Sequence, residues 1–119
     1  MEMNSVHSIH RELMELRSDP GFLRIEVLDH TRHIIKARLY FDSDLFIQVY
    51  RNDKTDATNF LLMYGGRRIY ARDEKGSVWH RHPEDRPDSH DLSPEGQREI
   101  GFREFIMEVY AVLEGLSLI

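Results

Sequence analysis

Between Thr58 and Arg72 the chain alternates apolar and polar residues, pauses at Gly65-Gly66, and alternates again. A two-residue primed hairpin turn needs positive φ at both positions, which glycine adopts without steric cost. The pair predicts a hairpin with Tyr64 opposite Arg67. Continued without interruption, that register sets Leu62 against Ile69 and Phe60 against Ala71 on an apolar face. Met63 then meets Arg68, Leu61 meets Tyr70 and Asn59 meets Arg72 on the opposite face.

The same period of two marks four further strands. Leu23, Ile25 and Val27 alternate with charged residues, as do Ile35, Ala37, Leu39 and Phe41, with Asp29 to His33 between them. Asp42-Ser43-Asp44 turns the chain into Leu45 to Tyr50, and Asp73-Glu74-Lys75-Gly76 leads into Ser77 to His82. The ends have a different period. Ile9, Leu13 and Leu16 recur at helical steps, with Asn4 or Ser5 available as a cap and Asp19-Pro20-Gly21 as a stop. Phe102, Phe105, Ile106, Val109, Leu113 and Leu116 line a second helix, with Gly101 and Glu104 at its start. The expected fold is α+β: a six-stranded antiparallel β-meander with an N-terminal helix and a C-terminal helix packed on one face.

A chain of 119 residues accommodates one domain, 1–119, and excludes two catalytic domains. Cysteine is absent, which excludes disulfides, cysteine-ligated zinc and cysteine nucleophiles. No apolar run reaches the roughly 18 to 20 residues of a membrane span. The first residues lack the basic and apolar regions of a secretory signal, so a cytoplasmic protein with no membrane partner is expected. No phosphate loop, dinucleotide fingerprint, nucleophile elbow or zinc-protease motif occurs, and no cofactor is expected.

The net charge of -5 is unevenly spread. Residues 51–82 carry 7 basic and 4 acidic side chains, whereas residues 83–119 carry 3 and 9. A basic middle in an acidic chain is a surface suited to phosphate. Within it, His80 and His82 share a strand face whatever the register. If Asp73 to Gly76 forms a three-residue loop with a bulge, Tyr70 opposes His80, Arg68 opposes His82 and Ala71 opposes Trp79, with the indole inside. A four-residue loop would instead turn both imidazoles to the core, where an apolar face offers no partners.

The favoured register predicts a polar patch on the face away from the C-terminal helix. His80, His82 and Tyr70 are its candidate catalytic residues, and Arg67, Arg68 and Arg72 its candidate phosphate-binding residues. These types suit RNA cleavage without a metal: imidazoles exchange protons near neutral pH, guanidinium groups stabilise the charged phosphorane, and the phenol positions or donates a proton. His-x-His also suits a metal, with His90 or Asp91 as a third ligand. His7 and His10 read as surface residues, and His30 and His33 have no charged constellation around them. The Pro83 to Gly96 loop, rich in Glu84, Asp85, Asp88, Asp91 and Glu95, reads as a solvated connector or as an acidic lid over the basic patch.

The stretches FDSDLFIQVYR and NFLLMYGGRRIYARDEKGSVWHRHPEDRPDSHD resemble the small TumE-type proteins encoded as presumed toxins of toxin-antitoxin pairs. The likeness rests on an acidic turn between two strands, a Tyr-rich hairpin, Asp73 before the last strand, and a His-rich, Pro-containing segment with His80, His82 and His90. The resemblance implies a toxin component with a helix-turn-helix antitoxin as partner and a nuclease activity, for which the His/Arg/Tyr patch points to RNA. Against it stands a non-enzymatic reading. Leu61, Met63, Tyr70, Phe46 and Tyr50 make the outer face more apolar than a wet sheet requires, which fits a partner-binding module or a homo-oligomer.

Overall fold

The computed structural model describes residues 3–119. Helix α1 spans Val6–Leu16, followed by β1 (Arg24–His30), β2 (Ile34–Tyr40), β3 (Leu45–Asn52), β4 (Ala57–Tyr64), β5 (Arg67–Lys75) and β6 (Val78–His82), and the chain ends in α2 (Phe102–Gly115). The strands form one antiparallel sheet in the order β1-β2-β3-β4-β5-β6, the expected meander. Alternate residues of the central strands, including Ala37, Leu39, Ile47, Val49, Phe60 and Leu62, point to one face and are fully buried. Both helices cover that face, α1 over β2 and α2 over β4 and β5.

Helix α1 starts where Ser5 accepts a hydrogen bond from the Ser8 N–H at 3.0 Å. Its first free N–H, that of Val6, donates to the Asp53 carboxylate at 3.1 Å. Asp53 in turn accepts from Arg51 at 2.9 Å, so the helix start is tied to the β3–β4 turn. Helix α2 is preceded by Gly101, which offers no side-chain cap, and it is held to the sheet by an apolar stripe and by Glu108, which accepts from Tyr70 and Arg72 of β5. The Phe60 ring lies 5.6 Å from that of Phe102, 5.3 Å from Phe105 and 6.1 Å from Trp79. Burial of one such ring stabilises by about 1.5 to 3 kcal/mol, and truncating Phe60 to alanine would cost about 3 to 5 kcal/mol.

Two registers differ from expectation, and both bear on the site. The Gly65-Gly66 turn pairs Tyr64 with Arg67 and Met63 with Arg68 as expected, but Leu62 pairs with Tyr70. Ile69 is the extra residue of a β-bulge, and every pairing beyond it moves by one. Phe60 therefore meets Arg72 rather than Ala71, Leu61 meets Ala71 rather than Tyr70, and Asn59 meets Asp73 rather than Arg72. The last hairpin closes through two residues, Gly76 (φ 57°) and Ser77 (φ 69°), not through the expected three-residue loop. Glu74 thus opposes Trp79, Asp73 opposes His80 and Ala71 opposes His82, which replaces the expected Tyr70–His80 and Arg68–His82 pairs.

The two departures offset each other for β6 but not for β5. Trp79 is buried and the histidines lie on the outer face, as the sequence predicts; Tyr70 and Arg72 have moved to the helix-covered face. Among the described residues no helix is long and apolar enough to cross a membrane.

Candidate functional site

The outer face of β5 and β6 brings His80, His82, Arg68 and Asp73 together, and the following loop adds His90. How the loop reaches them is a matter of pairing. Asp91 forms an isolated antiparallel bridge with Arg81, its N–H donating to the Arg81 carbonyl at 2.7 Å. The Arg81 guanidinium also donates to the Asp91 carboxylate, with one contact at 2.9 Å. Antiparallel alternation then sets His90 across from His82. The His90 ring centroid lies 4.6 Å from those of both His80 and His82. One ligating atom from each of the three imidazoles lies within 4.8 Å of the others.

His82 is buried and touches partners on both ring nitrogens. Its Nδ1 lies 3.1 Å from the Pro87 carbonyl and 3.3 Å from an Arg68 guanidinium nitrogen, which itself donates to Pro87 at 3.1 Å. Its Nε2 lies 3.3 Å from Asp73 Oδ2. Two tautomers divide these contacts. With the proton on Nδ1, His82 donates to Pro87 and turns the Nε2 lone pair toward the Asp73 carboxylate, an arrangement that calls for a cation or proton between them. With the proton on Nε2, His82 donates to Asp73 and accepts from Arg68.

Burial raises the Asp73 carboxyl above its ordinary value despite the nearby imidazoles and Arg68. Burial, followed by the Arg68 charge, lowers His82, with Asp73 acting in the opposite direction. The neutral imidazole is thereby favoured, and that is the form that ligates a metal. Asp73 Oδ1 and Arg68 Nε are both buried without a hydrogen-bond partner among the described residues, and buried polar atoms seldom go unsatisfied without a reason.

The remaining predicted site residues lie elsewhere. Tyr70 is on the opposite face, stacked against Phe105 and donating to Glu108 Oε1 at 2.7 Å; burial and then Glu108 push its phenol up to about 12. Arg72 is completely buried, donating to Glu108 at 2.7 and 3.0 Å and to the Glu95 carbonyl at 2.6 Å and carboxylate at 3.0 Å. Neither can meet a substrate at the imidazoles. Arg67 is exposed at the hairpin tip, opposite Tyr64 and on the other side of the sheet from Arg68.

Sequence reasoning missed the partner that draws Tyr70 and Arg72 inward. Glu108 lies three residues after Phe105 and four before Val112, within the buried stripe of α2. A carboxylate there requires a cation on the facing sheet, and that was the available signal. The acidic loop is likewise engaged: Asp91 holds Arg81, Glu95 holds Arg72 and Arg98, and among the described residues only Glu84, Asp85 and Asp88 of its carboxylates remain exposed without a basic partner outside the loop. His10, read as a surface residue, stacks on His30 with centroids 4.3 Å apart.

No family model matches this chain, and neither a curated protein nor a solved structure matches it.

Proposed function

We propose that the protein is an RNA-cleaving enzyme of the toxin type, whose centre is a divalent transition-metal site formed by His80, His82 and His90 with Asp73 beside them. The convergence of the three imidazoles within 4.8 Å carries this reading. Imidazole nitrogens on one tetrahedral ion stand about 3.4 Å apart, since each bond is about 2.1 Å. The exposed His90, carried on a loop, closes that difference by rotating its side chain. An ion held there supplies a Lewis acid for a phosphoryl oxygen and lowers the pKa of bound water.

The chain's own groups do the rest. Pro87 orients His82, the Asp73 carboxylate takes up a proton as water adds to phosphorus, and Arg68 offers positive charge to the phosphate. One P–O bond replaces another, and the departing ribose oxygen takes the proton that Asp73 accepted from the water. The resemblance to TumE-type proteins supports a nuclease activity and a helix-turn-helix antitoxin as the partner that restrains it.

The test is a titration of metal-free protein with Co²⁺, followed by an RNA cleavage assay. Ligand-field absorption in the visible range is expected with wild type and is lost in His82→Ala. Cleavage should stop with chelator, return with one divalent ion, and fall about 100-fold or more in His80→Ala. A second reading has its own observation: the 3.3 Å approach of His82 Nε2 to Asp73 fits a metal-free acid–base pair. Cleavage that survives chelation selects it. Absence of cleavage under every condition, with a small neighbouring-gene product co-purifying, selects the partner-binding alternative.

A further inference from the structure

Beside the imidazole cluster the outer sheet face forms an open cleft of about 360 Å³, within the roughly 300 to 1,000 Å³ range of small-molecule sites. Its lining includes Tyr50, Thr55, Asn59 and Lys75, and it shares His80 and Asp73 with the cluster. The register makes this an ordered surface. Lys36 pairs with Tyr50, Tyr50 with Asn59, Asn59 with Asp73, and Asp73 with His80, so these residues form one straight row across five adjacent strands. At about 4.8 Å per strand, Tyr50 lies about 14 Å from His80.

Three members of the row, Lys36, Tyr50 and Asn59, and the neighbouring Lys75 offer groups to a ligand, while Asp73 and His80 belong to the cluster. The Tyr50 ring is half-buried, and its hydroxyl accepts from Asn52 Nδ2 at 3.2 Å, which fixes the ring on the floor of the cleft. Asn59 is half-buried, and its side-chain amide makes no hydrogen bond among the described residues. Lys36 and Lys75 form no ion pair among them either. An aromatic face, an unpaired amide and the Lys36 ammonium in line with the cluster, with Lys75 lining the cleft two residues along β5 from Asp73, match a nucleobase flanked by its phosphates.

We propose that this row is a binding subsite for single-stranded RNA. A base that flanks the scissile phosphate stacks on Tyr50, Asn59 hydrogen-bonds its edge, and Lys36 and Lys75 hold the neighbouring phosphates. This rests on the reading of the cluster as an RNA-cleaving centre. A duplex is excluded from the cleft because its bases are already paired and stacked.

The test measures binding apart from cleavage. A fluorescent single-stranded RNA of about ten nucleotides, a length in the range of single-strand sites, is titrated in chelator and read by anisotropy. Tyr50→Ala should weaken binding about 10-fold, Tyr50→Phe should retain it, and Asn59→Ala should alter the preference among homopolymers. A duplex of the same sequence should not compete. Circular dichroism and Co²⁺ uptake at the cluster should be unchanged in all three variants. Binding by Tyr50→Ala within twofold of wild type, or no binding by wild type, overturns the subsite. If Tyr50 governs binding but no ion restores cleavage, the subsite stands and the catalytic reading falls. If cleavage depends on His80 but binding ignores Tyr50, the reverse holds.

Discussion

His82 Nε2 lies 3.3 Å from Asp73 Oδ2, while the other ring nitrogen of His82 lies 3.1 Å from the Pro87 carbonyl. An imidazole gripped by a carbonyl on one side presents a lone pair on the other, and here that lone pair meets a half-buried carboxylate whose second, buried oxygen has no partner among the described residues. Asp73→Asn keeps the shape and removes the negative charge. We expect Co²⁺ affinity to fall about 10- to 100-fold, the scale for loss of a group that supports a ligand. Urea denaturation should show no loss of stability, because the carboxylate carries a burial penalty in the native state. Unchanged Co²⁺ affinity would remove Asp73 from the site.

Arg72 is placed to hold the fold, not a phosphate. Its guanidinium is completely buried between Glu108 of α2 and Glu95 of the loop. Arg72→Ala takes away the closer and fully buried of Glu108's two cations and leaves Arg98 at 3.6 Å, and breaking a buried pair in this way costs about 3 to 5 kcal/mol. Arg67→Ala, at an exposed turn, should change stability by no more than about 0.5 kcal/mol. Chemical denaturation of the two variants side by side checks both values. Equal costs would contradict the burial of Arg72.

The strand order and the inward face of β2, β3 and β4 were legible because apolar residues alternate there without a break and Gly65-Gly66 can only be a turn. The faces of β5 were not. Uninterrupted alternation places Ile69 inside and Tyr70 outside, and nothing in Arg67 to Arg72 marks the bulge; the cause lies far along the chain, in Glu108. The last hairpin was obscured because Ser77 adopts φ 69°, a conformation ordinarily left to glycine or asparagine. His80 and His82 were legible as a pair since a spacing of two survives any shift of register. Asp73 acquired its place beside them from two shifts that no local pattern records.

Acid should loosen the loop before the sheet. Arg98 and then Arg72 hold the Glu95 carboxyl down at about 2, against an ordinary value of 4.5. A lowered carboxyl contributes stability that is present above 4.5 and is lost as pH falls through 2. Amide hydrogen exchange over residues 93–98 should therefore accelerate, beyond its intrinsic pH dependence, between about pH 4 and 2 while the β3 and β4 amides remain protected. Glu95→Gln should reduce that pH dependence, and adding Asp91→Asn, whose carboxyl Ser93 and then Arg81 likewise hold at about 2, should abolish it. Acid loosening that is identical in wild type and variant would assign it to another group.

The Arg81–Asp91 clamp carries the last prediction. Arg81 and Asp91 meet through both backbone and side chains at the open edge of β6, and this pairing sets His90 opposite His82. Asp91→Ala removes the side-chain half of the clamp and leaves every imidazole in the chain. Three ligands then become two held ligands and one carried on a looser loop, so the entropy of fixing His90 is charged against metal binding. We expect Co²⁺ affinity to fall about 10-fold, with cleavage at limiting metal falling in parallel and recovering at high metal. RNA binding at Tyr50, measured in chelator, should be unaffected because the β3–β4 register is untouched. If Asp91→Ala binds Co²⁺ as tightly as wild type while His90→Ala does not, His90 reaches the ion without the clamp, and the bridge serves only to seal the edge of the sheet.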